Sequence, residues 1–151
     1  MAKTTFASNV KWSGKSVLSV ANMNGKEVLI DEPKHLGGTD QGANPVEYVL
    51  SALGGCINVL VVSFAKLHDV EVKGVEVKIE GDLDPDGFLG KNPNVRAGYQ
   101  EIRYQIYIDS PSSQENIQSL IEHVEKSCPV KDTLQGVPVK GETTITATAE
   151  V

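Results

Sequence analysis

The chain has 151 residues, 40% of them hydrophobic and 23% charged, with a formal net charge of −6. That is the size and make-up of one globular domain over residues 1–151, large enough to bury a core, and it excludes a disordered chain. The acidic balance, without any cluster of Lys and Arg interleaved with aromatics, argues against a nucleic-acid surface.

The N-terminus, Met1 to Phe6, has no apolar signal core, and the run Ile57–Phe64 is too short to span a bilayer. The expectation is therefore a cytoplasmic chain that neither enters a membrane nor binds nucleic acid. In that compartment two cysteines are redox-active, metal-bound or simply buried, rather than a permanent bridge.

Residues 3–31 read as strands. Asn24-Gly25 stands between Val17-Leu18-Ser19-Val20 and Val28-Leu29-Ile30, and Asn-Gly is the strongest two-residue hairpin signal. Residues 32–43 form a Gly-rich loop. A long helix follows from Asn44 to about Asp69, with Asn44 as cap, Pro45 at the first helical position and Glu47 three residues after the cap. Its apolar residues (Val49, Leu50, Leu53, Ile57, Val59 to Val62, Phe64) lie nearly all round the axis. A helix without a polar face is surrounded by protein. A chain this short cannot cover it on every side, so the helix is expected to pack against its copy in a second subunit.

Residues 70–82 alternate as a strand, with Val75, Val77 and Ile79 opposite Glu76, Lys78 and Glu80. Asp84-Pro85-Asp86-Gly87 opens a loop reaching Gly98. Tyr99–Ile108 alternates again, with Ile102, Tyr104, Ile106 and Ile108 on one face. Residues 113–127 carry the stripe Ile117, Leu120, Ile121, Val124 of an amphipathic helix, which Cys128-Pro129 breaks; a short helical turn through Leu134 follows. Residues 142–151 form a last strand rich in Thr. The order of elements is α+β, with helices on one side of antiparallel sheets.

Cys56 follows Gly54-Gly55 inside the long helix, where each glycine costs about 1 kcal/mol against alanine. Close approach of another backbone, or room for a ligand beside the thiol, would compensate; equally, Cys56 is a small buried hydrophobe. Cys128 either caps the turn opened by Pro129, where a helix N-terminus favours thiolate, or merely ends a helix. On spacing, Glu47 completes a capping box with Asn44. Nine residues of straight helix, about 900° of rotation, put Glu47 and Cys56 on opposite faces. One site using both needs a second subunit or a bend at Gly54-Gly55. His35, His68 and His123 have no ligand spacing, so no metal site is expected.

The segment from Gly42 through Asn44-Pro45-Val46-Glu47 to Gly54-Gly55-Cys56 resembles the first cysteine motif of the OsmC/Ohr superfamily. Cys128-Pro129-Val130-Lys131-Asp132-Thr133-Leu134 resembles the second, and Asn94 to Ile102, which includes Arg96, is similar to OsmC-like members. The resemblance implies an OsmC-like fold, with antiparallel sheets around a long central helix, in an intertwined homodimer with composite sites. It also implies an enzyme that reduces organic hydroperoxides: Cys56 is oxidised to a sulfenic acid, Cys128 condenses with it, and a dithiol of lipoyl type restores the pair, with no cofactor. The peroxidase branches carry an arginine in the N-terminal strands. This chain has only Arg96 and Arg103, both after Cys56. Lys11 or Lys15 would supply that charge, or Arg96 if its loop folds over the site, with Glu47 orienting the cation; otherwise Arg96 is a solvated loop residue. Where the best-known branches have glutamate directly after the proline, this chain has Val46 and then Glu47. A pocket of Leu50, Leu53 and Phe64 would suit an apolar peroxide tail. The alternatives are a dimer that binds a small molecule or senses oxidation without turnover, and a structural dimer with inert cysteines.

Overall fold

A computed structural model describes residues 1–146, so the last strand expected over 142–151 lies outside the described residues beyond 146. The chain forms two units, one ending at Val49 and one beginning at Leu50.

In the first unit, β1 (Asn9–Trp12), β2 (Ser19–Met23) and β3 (Lys26–Ile30) pair antiparallel in that order. Strand structure begins at Asn9 rather than Lys3. Asn24 (φ 54°) and Gly25 (φ 79°) are both left-handed, the pair of conformations a two-residue hairpin requires, and Met23 pairs with Lys26 across them. After β3 the chain makes one 3-10 turn, Lys34–Leu36, and returns so that Ala43 bridges Ile30. The return is tight. A Cβ on Gly38 would lie 1.7 Å from the Glu32 carbonyl oxygen, and one on Gly42 would lie 2.3 Å from that of Leu29, so only glycine fits at either place. Asp31 holds the loop shut. Its buried carboxylate accepts hydrogen bonds from the amides of Glu32 (2.9 Å), Thr39 (3.1 Å) and Gln41 (3.1 Å) and from the Thr39 hydroxyl (2.6 Å). These donors hold its pKa down to about 2, the Thr39 hydroxyl most strongly.

The long helix α1 runs Pro45–Phe64 without interruption at Gly54-Gly55 and continues as a 3-10 turn, Ala65–His68, closed by left-handed Asp69. The stretch Pro45–His68 is 24 residues long and, by length and composition, apolar enough to cross a membrane, which the run Ile57–Phe64 had not suggested. A core helix passes the same test, and Leu53, Ile57 and Val61 are wholly buried in protein. The opposite side is not: Val59 and Val62 are 63% and 59% exposed.

In the second unit, β4 (Gly74–Asp82) pairs antiparallel with β5 (Glu101–Asp109), which pairs in turn with β6 (Val139–Thr146). The β5–β6 pair is parallel, so this sheet is mixed rather than antiparallel throughout. The reason lies in the connection: a strand that returns through helices can lie parallel to the one it left. Those helices are α3 (Gln114–Ser127), capped by the Ser113 hydroxyl, and α4 (Pro129–Thr133). The expected loop after β4 contains a four-residue helix, α2 (Pro85–Phe88), capped by Asp84. The core of the unit is Leu53, Ile57 and Val61 of α1, Ile102, Ile106 and Ile108 of β5, and Ile117, Leu120 and Val124 of α3, all at zero exposure. Gly54 rests on the side chains of Val77 and Ile79 at ordinary contact distance, 3.7–3.8 Å from a notional Cβ. Gly55 faces open space, in a groove shared with Asn58, Val59, Val62 and Ser63. Among the described residues, packing requires neither glycine.

Candidate active site

Two helices deliver the two sulfurs. Cys56 sits on α1, half-buried; Cys128 ends α3, caps α4 and is buried. Although 72 positions separate them in sequence, their Sγ atoms are 2.8 Å apart as a pair of free thiols. The Cys128 sulfur accepts a hydrogen bond from the Lys131 amide at 3.4 Å. This is the N-cap expected from Cys128-Pro129, with Pro129 at the first helical position. The neighbouring Val130 amide favours the thiolate form of Cys56. The first turn of α4 thus serves both sulfurs.

Burial pushes the Cys56 thiol up, and its hydrogen bond and proximity to Cys128 push it further; the Val130 amide acts the other way. At Cys56 desolvation outweighs the opposing influence of the Val130 amide.

Beside the cysteines lies a cluster that the sequence reading does not single out. Tyr104, on the buried face of β5, donates its hydroxyl hydrogen bond to Glu125 of α3. Lys131 Nζ lies 3.2 Å from that hydroxyl and 3.6 Å from the Glu125 carboxylate. Burial, then Glu125, then the nearby Cys128 push the Tyr104 phenol up, so it stays a donor throughout the physiological range. The available signal was the spacing Glu125, Cys128, Lys131, three residues each side of the thiol.

The other candidate residues are placed elsewhere. Glu47 completes the capping box: its carboxylate accepts from the Asn44 amide (2.9 Å), and the Asn44 side chain accepts from the Glu47 amide (2.8 Å). Arg96 is exposed and donates to the Gly136 carbonyl at 2.6 Å, joining the loop after β4 to the one before β6. Arg103 is held by Glu80 and Asp82. Leu53 is fully buried in the core, and the half-buried Phe64 stacks on His123 with ring centres 4.3 Å apart. The histidines that share no sequence spacing do meet: His68 Nε2 and His123 Nδ1 are 2.9 Å apart. Among the described residues, no group of three or more His, Cys, Asp or Glu is arranged to hold a metal ion.

A family model described as "OsmC-like protein" matches residues 38–142, a span that contains both cysteines. The chain belongs to the OsmC-like family. A hydroperoxide reductase of Mycoplasma pneumoniae is 30% identical over 115 residues, covering 74% of each protein. In three dimensions this OsmC-like chain is similar to an OsmC-like protein of the same organism (TM-score 0.80, 24% identity, covering 97% of this chain and 99% of the other). It is also similar to an organic hydroperoxide resistance protein of Legionella pneumophila (TM-score 0.67, 16% identity, 95% and 99% covered). The two sheets and long helix of this OsmC-like chain are thus the fold its motifs implied.

Proposed function

We propose that the protein is a thiol-dependent peroxidase that reduces organic hydroperoxides. The observation that carries the reading is the 2.8 Å approach of Cys56 and Cys128. In the first step the Cys56 sulfur attacks the peroxide oxygen, the O–O bond breaks, and ROOH leaves as ROH with Cys56 as sulfenic acid. In the second, the Cys128 sulfur displaces hydroxide from Cys56; the hydroxide takes the thiol proton and leaves as water, and a disulfide remains. A dithiol of lipoyl type then reduces the disulfide in two exchange steps. The half-buried Cys56 is the sulfur that peroxide can reach, and the buried Cys128 is the resolving partner. The hydroperoxide reductase relative supports the substrate class.

The protein works in the cytoplasm as a homodimer, in which the exposed side of α1 around Gly55, Val59 and Val62 meets its copy. Because α1 is unbroken, Glu47 serves a Cys56 site only from the second subunit, where it orients a cation such as Lys11 or Lys15; Arg96 is the remaining candidate. Val59→Glu is expected to turn a dimer into a monomer on size-exclusion chromatography, and an unchanged dimer would refute that interface.

A second reading is favoured by one observation: burial raises the Cys56 pKa, the opposite of what a fast peroxidatic thiol needs. On that reading the dimer binds a small molecule or senses oxidation through a single disulfide-forming event. The deciding experiment is cumene hydroperoxide consumption with dihydrolipoamide as reductant. The peroxidase reading expects continuous turnover that Cys56→Ser abolishes. One equivalent consumed and no cycling would establish the sensor, and equal turnover in Cys56→Ser would end both.

A further inference from the structure

Glu125 stands three residues before Cys128, in the last turn of α3, and Lys131 stands three residues after it, in α4. Their side chains reach across the bend between the two helices to within 3.6 Å, and both meet the hydroxyl of Tyr104 on β5. Tyr104 is itself well seated. Its ring lies over Gly141, its partner in the parallel β5–β6 pair, where a Cβ would come within 2.3 Å of the ring. The hydroxyl is buried with the ring, whereas the Lys131 and Glu125 side chains keep 28% and 34% of their surface. Three separate elements, β5, α3 and α4, are thus joined at one phenolic oxygen, and the corner they share carries Cys128. The same turn of α4 supplies the Lys131 amide to the Cys128 sulfur, which lies 2.8 Å from the Cys56 sulfur.

We infer that Tyr104, Glu125 and Lys131 are positioning residues that hold the α3–α4 corner so that Cys128 stays within reach of the Cys56 sulfur. The inference rests on the proposed thiol chemistry but asks less of it, because the brace acts on disulfide formation by any oxidant. Glutathione disulfide supplies a balanced reaction: protein dithiol plus one glutathione disulfide gives protein disulfide plus two glutathione thiols. A brace that holds Cys128 against Cys56 raises their effective concentration and shifts this equilibrium towards the protein disulfide. The same effect, after a peroxide has oxidised Cys56, favours capture by Cys128 over further oxidation to sulfinic acid.

The test uses the full chain equilibrated in glutathione buffers of graded ratio, with the Cys56–Cys128 disulfide read by mass spectrometry. Tyr104→Phe keeps the ring over Gly141 and removes only the hydroxyl. Lys131→Met keeps the length of the stem and removes the charge. Each is expected to lower the equilibrium constant for disulfide formation about three- to tenfold, the range of one hydrogen bond. Lys131→Arg is expected to recover most of the loss. A purely structural role would lower the melting temperatures of dithiol and disulfide forms alike and leave the ratio unchanged. An unchanged constant in both variants, or no disulfide in the wild type under oxidising buffer, overturns the inference. A disulfide that forms with glutathione and weakens in the variants, in a protein inert to hydroperoxide, would refute the peroxidase reading and leave the brace standing.

Discussion

Two corners of this molecule are built in opposite ways. At the Asp31 corner one carboxylate closes a loop with donors drawn from residues 32–41, all within ten positions along the chain. At the Cys128 corner the partners come from α1, β5, α3 and α4 and are separated by up to 72 positions. The first corner is satisfied locally and leaves its acceptor nothing further to do. The second leaves two sulfurs in contact with each other, and so keeps chemistry available. The first corner is closed by near neighbours in sequence, and the second is assembled from distant elements.

The sharpest way to break this comparison is to remove each centre in turn. Asp31→Ala takes away the buried acceptor shared by three amides and a hydroxyl of the loop, and thermal denaturation is expected to show a fall of several degrees. Cys128→Ala is expected to change the melting temperature much less while abolishing disulfide formation completely. The reverse order of effects would show that the two corners have been misjudged. A smaller effect concerns acid. The folded-state pKa of Asp31 lies below its ordinary value of 3.8, so its contribution to stability is fully present above about pH 4 and is lost as pH falls towards 2. Asp31→Asn should flatten the stability profile in that window, measured by denaturant titration at successive pH values. The smallest effect is at Cys56. Cys128→Ala removes two of the influences that raise its thiol pKa but leaves burial, so the midpoint of its alkylation rate should move down modestly. An upward move would mean that Cys128 stabilises the Cys56 thiolate.

What the sequence disclosed follows the same division. The capping box at Asn44 and Glu47, the Asn24-Gly25 hairpin and the buried stripe Ile117, Leu120, Ile121, Val124 depend on near neighbours, and each stands where its spacing put it. The cysteine pairing came from family resemblance rather than from spacing. Tyr104 was legible as one more inward residue of β5, but its hydroxyl partners lie 21 and 27 positions away, beyond any periodicity. His68 and His123 meet across 55 positions for the same reason. The direction of β6 depends on the path of the crossover, which strand propensity does not record. Arg96 illustrates the limit most plainly: a cation in a long loop has no fixed address in sequence, and here it is hydrogen-bonded to the Gly136 carbonyl.

The central claim is that Cys56 and Cys128 exchange an oxidising equivalent directly. It is tested by treating the reduced protein with one equivalent of cumene hydroperoxide and mapping its peptides by mass spectrometry. The expected result is loss of two hydrogens and a peptide cross-linked through Cys56 and Cys128, formed within one molecule. Recovery of both thiols unmodified, or of Cys56 as sulfinic acid with Cys128 still free, would contradict it.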